Sequence, residues 1–308
     1  MTSMNLALMA RNYFRIGQQM KISREFISHR KVKVICPGGF PHQAYDAKAQ
    51  VSAWSILGMV DFSRNIAFGH VPPDYQSFLD VMKLSEKHLL FTAATSTKIS
   101  PKLYDYTITK GPVEFRLELD NVGKTSHCIK TLFFLEGLDA PAIENKTQMV
   151  IVDIDLRRPS QLPEWWREKY TPGVESDQGL RIPRNVVPDS GILSHSQVII
   201  SASNLDMYMH TNWTNYLKFC YEAFIDYEVK KHGKANIHSA FRKVKQFSLH
   251  FMHESSLMDI LDVEFWKDPE NTNLYKFQIH KQAEEVCEAQ IEFYPYEDDE
   301  DSLSSGKE

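Results

Sequence analysis

The order of hydrophobic and polar positions along the first half of the chain predicts strands around one long helix. Strict alternation of apolar and polar residues is typical of half-buried strands, whereas apolar residues three or four positions apart are typical of a helix. The pattern predicts a helix over Ala44–Phe68 and strands over Lys31–Ile35, His88–Thr97, Val113–Leu119, Ile129–Leu135 and Met149–Leu156.

The second half repeats this order. Its helix has apolar residues at i, i+3, i+4 and i+7, which make one broad apolar face. The pattern predicts this helix over Asn212–Lys231 and strands over Ser196–Ser203, Val244–Phe251, Ile260–Trp266, Leu274–His280 and Ala289–Tyr294. A strand, a long helix and several strands, written twice, indicate an α+β fold made of two copies of one unit.

A segment rich in Pro and Gly separates the two halves, and such residues interrupt regular structure. A chain of 308 residues is also about twice the usual domain length. The Trp165–Trp166 pair inside this segment is expected to pack it onto a core. We expect a basic N-terminal arm (1–24), a first unit (25–157), a Pro-rich linker (158–191), a second unit (192–296) and an acidic disordered tail (297–308).

Composition narrows the class of protein. The content of 43% hydrophobic and 24% charged residues is globular, and the net charge of −5 lacks the basic excess of a nucleic-acid-binding protein. No apolar run approaches the roughly 18 residues of a membrane span, so none is expected. Arg11, Arg15, Lys21 and Arg24 precede the first acid, Glu25, as in a mitochondrial presequence. We expect a cytoplasmic protein, with the mitochondrial matrix as the alternative.

The sequence predicts neither a metal site nor a cofactor. The four cysteines are far apart, which excludes a CxxC motif and favours a reducing compartment. His250 and His253 lie three apart on a predicted strand and would point to opposite faces. One basic cluster could receive a CoA phosphate or an acidic carrier protein, although a solvated face is the commoner outcome. Its members are Lys230, Lys231, Lys234, Arg242, Lys243 and Lys245.

Candidate chemistry is concentrated before the second helix, in Leu205-Asp-Met-Tyr-Met-His-Thr-Asn-Trp-Thr-Asn-Tyr-Leu217. Asp206 and His210 would lie beside a helix N-terminus, whose free N–H groups and dipole can stabilise an oxyanion. The segment resembles the signature of the fatty acyl-ACP thioesterases, a hotdog-fold family, which reads Leu-Asp-Met-Asn-x-His-Val-Asn-Asn-x-x-Tyr. Tyr208 and Trp213 stand where the family has asparagines.

A second segment strengthens this resemblance. Phe251-Met-His-Glu254-Ser-Ser-Leu-Met-Asp259 is similar to the family's Tyr-Arg-Arg-Glu-Cys-Gly-Arg-Asp strand, so that Glu254 and Asp259 match its acids. The resemblance implies a double hotdog, with two antiparallel sheets each wrapped around a long apolar helix and expected to join into a continuous sheet. It also implies a monomeric pseudo-dimer, or a homodimer of such chains.

The resemblance implies hydrolysis of a fatty acyl thioester of CoA or acyl carrier protein. Asp206 would be the base or nucleophile, and His210 would orient water or polarise the thioester. Glu254 would polarise water or hold the imidazole in one tautomer. Asn212 would cap the helix, and with Tyr208 and Trp213 it would contact substrate. The first half lacks an Asp-x-x-x-His motif, so we expect it to be structural and to line the acyl tunnel.

Other interpretations remain open from the sequence. An isolated Asp before a helix is usually a turn or capping residue, and this is the alternative interpretation of Asp206. His210 could be an ordinary surface histidine, Glu254 a solvent-facing strand residue, and Trp213 part of the core. The departures at Tyr208 and Trp213 also suit a non-catalytic hotdog protein that binds acyl-CoA or lipid. A hotdog dehydratase or hydratase acting on acyl thioesters is a third possibility.

Overall fold

The computed structural model describes residues 19–69, 76–174, 179–189 and 191–295. The described residues of the first half form six strands: β1 (Ser23–Ser28), β2 (Lys31–Cys36), β3 (His88–Ile99), β4 (Val113–Val122), β5 (Ser126–Leu135) and β6 (Ile143–Asp153). The second half forms β7 (Ser194–Ile199), β8 (Val244–Phe251), β9 (Ile260–Lys267), β10 (Leu274–Lys281) and β11 (Glu284–Phe293).

Two long helices and three short ones accompany these strands within the described residues. The helices are α1 (Ala53–Phe68), α2 (Val81–Leu84), α3 (Glu164–Tyr170), α4 (Asn215–His232) and α5 (Ile237–Ala240). No helix in the described part of the chain combines the length and hydrophobicity needed to span a bilayer.

All eleven strands belong to one antiparallel sheet, in the order β1-β2-β4-β5-β6-β3-β8-β11-β10-β9-β7. The two expected sheets are therefore joined into one, which confirms the expected continuity between the halves. The sheets join because β3 and β8, the corresponding strands of the two repeats, pair from Ala94↔His250 to Lys98↔Gln246. Each repeat thus covers one edge of the other.

The two long helices share one hydrophobic core with this sheet. Ile56 and Val60 of α1 and Leu217 and Phe224 of α4 are fully buried in the same cluster as strand residues of both halves. α1 contacts β2 and α4, and α4 contacts β7 and β9. Both helices therefore pack against the sheet and against each other, whereas the wrapping of the sheet around each helix stays a prediction.

The linker is packed onto the body of the protein. The side chain of Trp166, in α3, is fully buried and donates a hydrogen bond from Nε1 to the carbonyl of Leu79 at 2.8 Å. Further along, Asn185 is buried and donates from Nδ2 to the carbonyls of Phe277 (2.9 Å) and Ala289 (3.0 Å). The prediction that the Trp pair packs this segment onto a core is confirmed for Trp166.

The start of the first helix differs from the prediction. α1 begins at Ala53, because residues 46–50 form a turn. Asp46 accepts hydrogen bonds from the backbone N–H groups of Lys48 and Gln50, and Ala49 adopts a left-handed conformation with φ 56°. These bonds offer the backbone an alternative to the helix, which the apolar spacing of the segment does not reveal.

The bounds of several strands also differ from the prediction, and one strand was missed. β6 begins at Ile143 rather than Met149. The prediction missed its first residues because they include Asn145 and Thr147, whose buried polar side chains break the apolar pattern. β1 was missed, and Ser23 and Arg24 belong to it rather than to an arm. Arg24 donates hydrogen bonds to the carbonyls of Ile66 and Ala67 at the end of α1. Arg11, Arg15 and the tail 297–308 lie outside the described residues.

Candidate active site

The predicted segment before α4 forms a tight turn that Asp206 holds closed. Its Oδ1 accepts hydrogen bonds from the backbone N–H groups of Tyr208 (2.8 Å) and His210 (3.2 Å). The Asp206 N–H donates to the carbonyl of His210 at 2.8 Å, and Met209 has a φ of 65°. The turn therefore holds the backbone of His210 directly against the aspartate.

The two motifs meet in space at His210. Its Nε2 lies 3.3 Å from Oε2 of Glu254, which follows β8. The backbone fixes this approach, because the N–H of Thr211 donates to the carbonyl of Ser255 at 2.7 Å. Arg157 Nη2 lies 3.9 Å from the same Glu254 oxygen. The imidazole thus faces a carboxylate from another part of the chain.

One cavity of about 720 Å³ gathers the predicted site residues. This volume lies within the range of about 300–1,000 Å³ that small-molecule sites occupy. Much of its wall is apolar, including Phe68, Met82, Leu90, Met149 and Phe251. The polar side chains that the sequence singled out all line it: Asp206, Tyr208, His210, Asn212, Trp213 and Glu254.

Burial changes the acidity of two groups in this cavity. Burial raises the pKa of Asp206 above its usual value, and hydrogen bonds from the Tyr208 and His210 N–H groups only partly oppose this. The pKa of Tyr208 is raised to about 12, mainly by burial and then by the charges of Asp206 and Asp61. Tyr208 is therefore a neutral phenol at physiological pH and can donate a hydrogen bond.

Asn212 organises the approach to α4 but is not its capping residue. Its Oδ1 accepts from the backbone N–H (2.9 Å) and the hydroxyl (2.8 Å) of Thr214, and the helix begins at Asn215. Thr214, in helical conformation, occupies the capping position. The backbone N–H of Trp213 donates to no other described residue. It is the candidate oxyanion donor at this end of the helix.

The first half contributes charged residues to the cavity that the sequence did not single out. Trp213 donates from Nε1 to Oδ1 of Asp61 in α1 at 3.0 Å, and Arg64 Nη2 lies 3.0 Å from the same oxygen. The Arg64 guanidinium lies 4.8 Å from the centre of the Trp213 ring. One face of α1 carries residues at i, i+3, i+4 and i+7 that line the cavity, namely Asp61, Arg64, Asn65 and Phe68. Charged residues on an otherwise apolar helix were the sequence signal that could have indicated their place in the cavity wall.

The first half also contains a second copy of the turn, without its histidine. Asp46 Oδ1 accepts from the backbone N–H groups of Lys48 (2.8 Å) and Gln50 (3.0 Å), as Asp206 does from Tyr208 and His210. Gln50 takes the place of the histidine, and its Nε2 lies 3.5 Å from the Tyr106 hydroxyl. The Asp-x-x-x-His pattern does not match this repeat because its fifth residue is a glutamine.

Other candidate residues lie outside the cavity or at its edge. Asp259 accepts from the N–H of Ser256 at 2.8 Å and does not line the cavity. His253 does line it, and its Nδ1 lies 3.2 Å from Glu284, whereas His250 does not. Within the described ranges no three His, Cys, Asp or Glu side chains are gathered at metal-binding distance.

The basic cluster is not part of the cavity wall. Lys245 lies 2.8 Å from Glu292, and Arg242 donates to Oδ1 of Asn273 at 2.7 Å. Lys230 lies 3.9 Å from Asp226. None of the six basic side chains of the cluster lines the cavity, so its role in substrate binding stays a prediction.

Solved structures resemble this chain over most of its length. The 12:0-ACP thioesterase from Umbellularia californica is 14% identical, with a TM-score of 0.67, over 88% of this chain and 100% of that one. An acyl-ACP thioesterase from Bacteroides thetaiotaomicron is 12% identical, with a TM-score of 0.59, over 90% and 99%. A putative oleoyl thioesterase from Lactobacillus plantarum is 11% identical, with a TM-score of 0.61, over 90% and 98%.

The sequence comparisons, in contrast to the structural ones, found no relative of this chain. No family model matches the chain, and no curated protein does. At such low identity the likeness shows the fold alone, namely the hotdog fold of the acyl-ACP thioesterases, present along nearly the whole chain.

Proposed function

We propose that the chain hydrolyses a fatty acyl thioester, releasing a free acid and a thiol. The observation that carries this proposal is the convergence of Asp206, His210 and Glu254 on one cavity, with His210 and Glu254 3.3 Å apart. An imidazole held by a carboxylate is a suitable general base for water. The fold of the acyl-ACP thioesterases supports an acyl group on CoA or carrier protein as the substrate.

The proposed reaction needs one water and returns every proton that it takes. His210, oriented by Glu254, removes a proton as the water oxygen forms a bond to the thioester carbon. We assign the N–H of Trp213 and the phenol of Tyr208, two residues that line the cavity, as donors to the resulting oxyanion. The tetrahedral intermediate then expels the sulfur, which takes the proton from the imidazolium and leaves as a thiol. The negative charge of Asp206 stabilises the imidazolium between these steps.

The experiment is thiol release from a panel of saturated acyl-CoA thioesters. Asp206→Asn and His210→Gln are each expected to reduce kcat/KM by at least about 100-fold, the usual contribution of a general base or its electrostatic partner. Both are conservative in shape, because Asn keeps an oxygen for the turn and Gln50 already occupies the histidine position of the first-half turn. Circular dichroism should show an unchanged fold.

The matched control is Asp46→Asn. It makes the same change in the same kind of turn, in a repeat that lacks the histidine. We expect it to leave thiol release at the wild-type rate. Full activity in both Asp206→Asn and His210→Gln would refute the assignment of these residues.

A second candidate function is acyl-CoA binding without turnover. The observation in its favour is that Asp46 makes the same two backbone hydrogen bonds as Asp206 beside a glutamine, so turn geometry alone accounts for these bonds. Tight binding of acyl-CoA with no release of thiol would support this function. Steady thiol release that depends on His210 would exclude it.

A further inference from the structure

A second cavity, of about 500 Å³, lies between the linker and the junction of the two repeats. Residues 179–182 of the linker form one wall, and Ala94 of β3 and His250 of β8, which pair across the junction, belong to the other. Phe251, the next residue of β8, instead lines the main cavity, which holds Asp206. Because neighbouring strand residues point to opposite faces of a sheet, the two cavities lie on opposite faces of the junction.

The wall of the second cavity carries a positive charge and none of its described residues is acidic. Arg181 lines this cavity, is exposed, and makes no hydrogen bond or ion pair with a described residue. Glu288, which lies opposite His250 on β11, is already paired with Arg184 at 3.1 Å. The second cavity thus offers an exposed guanidinium without a carboxylate partner. Such a group binds phosphate through two parallel N–H donors.

A gap in the sheet connects the walls of the two cavities. Ala93 lines both of them, and it lies in an irregularity of β3 between Thr92 and Ala94. The pairing of β3 with β8 begins only at Ala94, although β3 itself begins at His88. Residues 88–93 therefore have no partner on the β8 side among the described strands, and we call them the free edge of β3.

The free edge leaves backbone groups available for a ligand. Leu90 lies opposite Ile151 on β6, whose N–H donates away from β3, to the carbonyl of Thr125 at 2.9 Å. In an antiparallel ladder the N–H and C=O of Leu90 then also point away from β6, towards the side that β8 does not cover. Thr92 faces the same way, and both residues line the main cavity. An extended ligand that carries amide groups can pair with such an edge.

We propose that Arg181 binds the phosphate of a phosphopantetheine arm in the second cavity, and that the arm lies along the free edge of β3. The inference rests on the proposed function, because it names the thiol part of the thioester. The arm has a thiol at one end, amide groups along it and a phosphate at the other end. This order matches His210, the free edge and Arg181. The span is short, since His250 and Glu254 are separated by at most about 14 Å of chain.

The test is the ratio of kcat/KM between S-acyl phosphopantetheine and S-acyl pantetheine, which differ only in the phosphate. In the wild type the ratio should be at least about 10, the fold-change for one hydrogen bond to a charged group. In Arg181→Met the ratio should fall to about 1, since the cation and its donors are lost. Arg181→Lys keeps the charge without the paired donors, and should retain part of the preference.

Arg158→Met is the matched control. Arg158 is also exposed but lines neither cavity, so this variant should keep the wild-type ratio. Because Arg181 has no partner among the described residues, Arg181→Met should leave the urea midpoint unchanged, which separates lost binding from lost folding.

CoA and acyl carrier protein both carry this arm, and two further substrates separate the phosphate from the rest of each. If Arg181→Met impairs hydrolysis of acyl-CoA but not of S-acyl phosphopantetheine, Arg181 binds the nucleotide. If only an acylated carrier protein is affected, Arg181 contacts the carrier. Either result overturns the inference, whereas equal losses for all three phosphate-bearing substrates support it.

Binding of thioether analogues, which cannot be hydrolysed, separates this inference from the proposed function. If thioesters are hydrolysed with no preference for the phosphate, the inference is wrong and the hydrolase stands. If nothing is hydrolysed but the phosphopantetheine thioether binds about 10-fold more tightly than the pantetheine thioether in an Arg181-dependent way, the hydrolase is wrong and the inference stands. Equal binding without hydrolysis would refute both.

Discussion

At the scale of single residues, Asp46 and Asp206 hold the same kind of turn in the two repeats. Each carboxylate accepts two backbone N–H groups, and burial raises the pKa of each above its usual value. A raised pKa means that the ionised form is disfavoured in the folded protein, so stability falls as pH rises through the interval between the unfolded and folded pKa values. Asp206→Asn should therefore keep the fold at neutral pH while it removes the charge.

The burial of His127 predicts a dependence of stability on pH opposite to that of the two aspartates. The imidazole is fully buried, and burial together with the charge of Arg64 lowers its pKa from 6.5 to about 4. Between pH 6.5 and about 4, His127 is therefore protonated in the unfolded chain and neutral in the folded chain. As pH falls from about 6.5 to about 4, the free energy of unfolding should decrease by about 3 kcal/mol on account of this residue.

The measurement is urea denaturation at pH near 7 and near 5. His127→Phe keeps a ring against Trp166, whose centroid is 5.4 Å away, and should lose less stability on acidification than the wild type. His195→Gln is the control, since His195 is half-exposed and bound to Asp262. If His127→Phe and the wild type lose the same free energy of unfolding between pH 7 and pH 5, the buried imidazole accepts a proton without a cost in stability.

How much of the site the sequence predicts depends on how local each contact is. Asp206, Tyr208 and His210 lie in one short turn, so a motif contained them and the structure places them in one cavity. Asp61 and Arg64 reach that cavity through a contact with Trp213 that spans 152 positions of the chain. No local pattern encodes such a contact. It depends on the packing of α1 against α4.

At the scale of elements, β6 shows why a buried strand can escape an apolar pattern. Asn145 donates from Nδ2 to the hydroxyls of Thr95 (2.8 Å) and Thr97 (2.9 Å) and accepts from Thr147 at 2.8 Å. These polar side chains satisfy one another, so their burial costs little. A single sequence does not reveal such mutual satisfaction, because the partners lie on two strands about 50 positions apart.

This network predicts that a substitution of Asn145 at its centre lowers stability strongly, whereas a substitution of the neighbouring Thr131 does not. Asn145→Leu removes three hydrogen bonds to buried threonine hydroxyls, and should lower the free energy of unfolding by about 2–4 kcal/mol. Thr95 and Thr147 keep their contact with each other at 3.3 Å, whereas the Thr97 hydroxyl loses its partner. Thr131 is the matched control, because it lies directly opposite Asn145 on β5 and its buried hydroxyl has no partner among the described residues. Thr131→Val should be neutral or stabilising.

Chemical denaturation of both variants tests this prediction. The denaturation midpoint should fall in Asn145→Leu with an unchanged slope, as expected for lost stability rather than an altered unfolded state. If Asn145→Leu proves as stable as the wild type, the four side chains do not act as a network. In that case their burial must be stabilised by the surrounding core.

At the scale of the whole molecule, the two repeats are joined too closely to be separate domains. Tyr104, after β3, both donates to the carbonyl (2.7 Å) and accepts from the N–H (3.0 Å) of Val244 at the start of β8. In return, the Tyr294 hydroxyl donates to the carbonyl of Ile99 at the end of β3. The cavity also takes Asp61 from one repeat and Asp206 from the other. The doubling therefore builds one cavity from both halves.

This joining predicts that the two halves unfold together. Phe133→Ala removes a fully buried ring from the first half and should lower the free energy of unfolding by about 3–5 kcal/mol. Because the sheet and the core are continuous, the most protected amides of β10 and β11 should lose hydrogen-exchange protection by the same amount as those of β4 and β5. Lys130→Ala, a surface change on the same strand, should alter both by less than about 0.5 kcal/mol. If protection in β10 and β11 stays unchanged in Phe133→Ala, the second half is stable on its own, and the contacts at the β3–β8 junction do not couple the repeats.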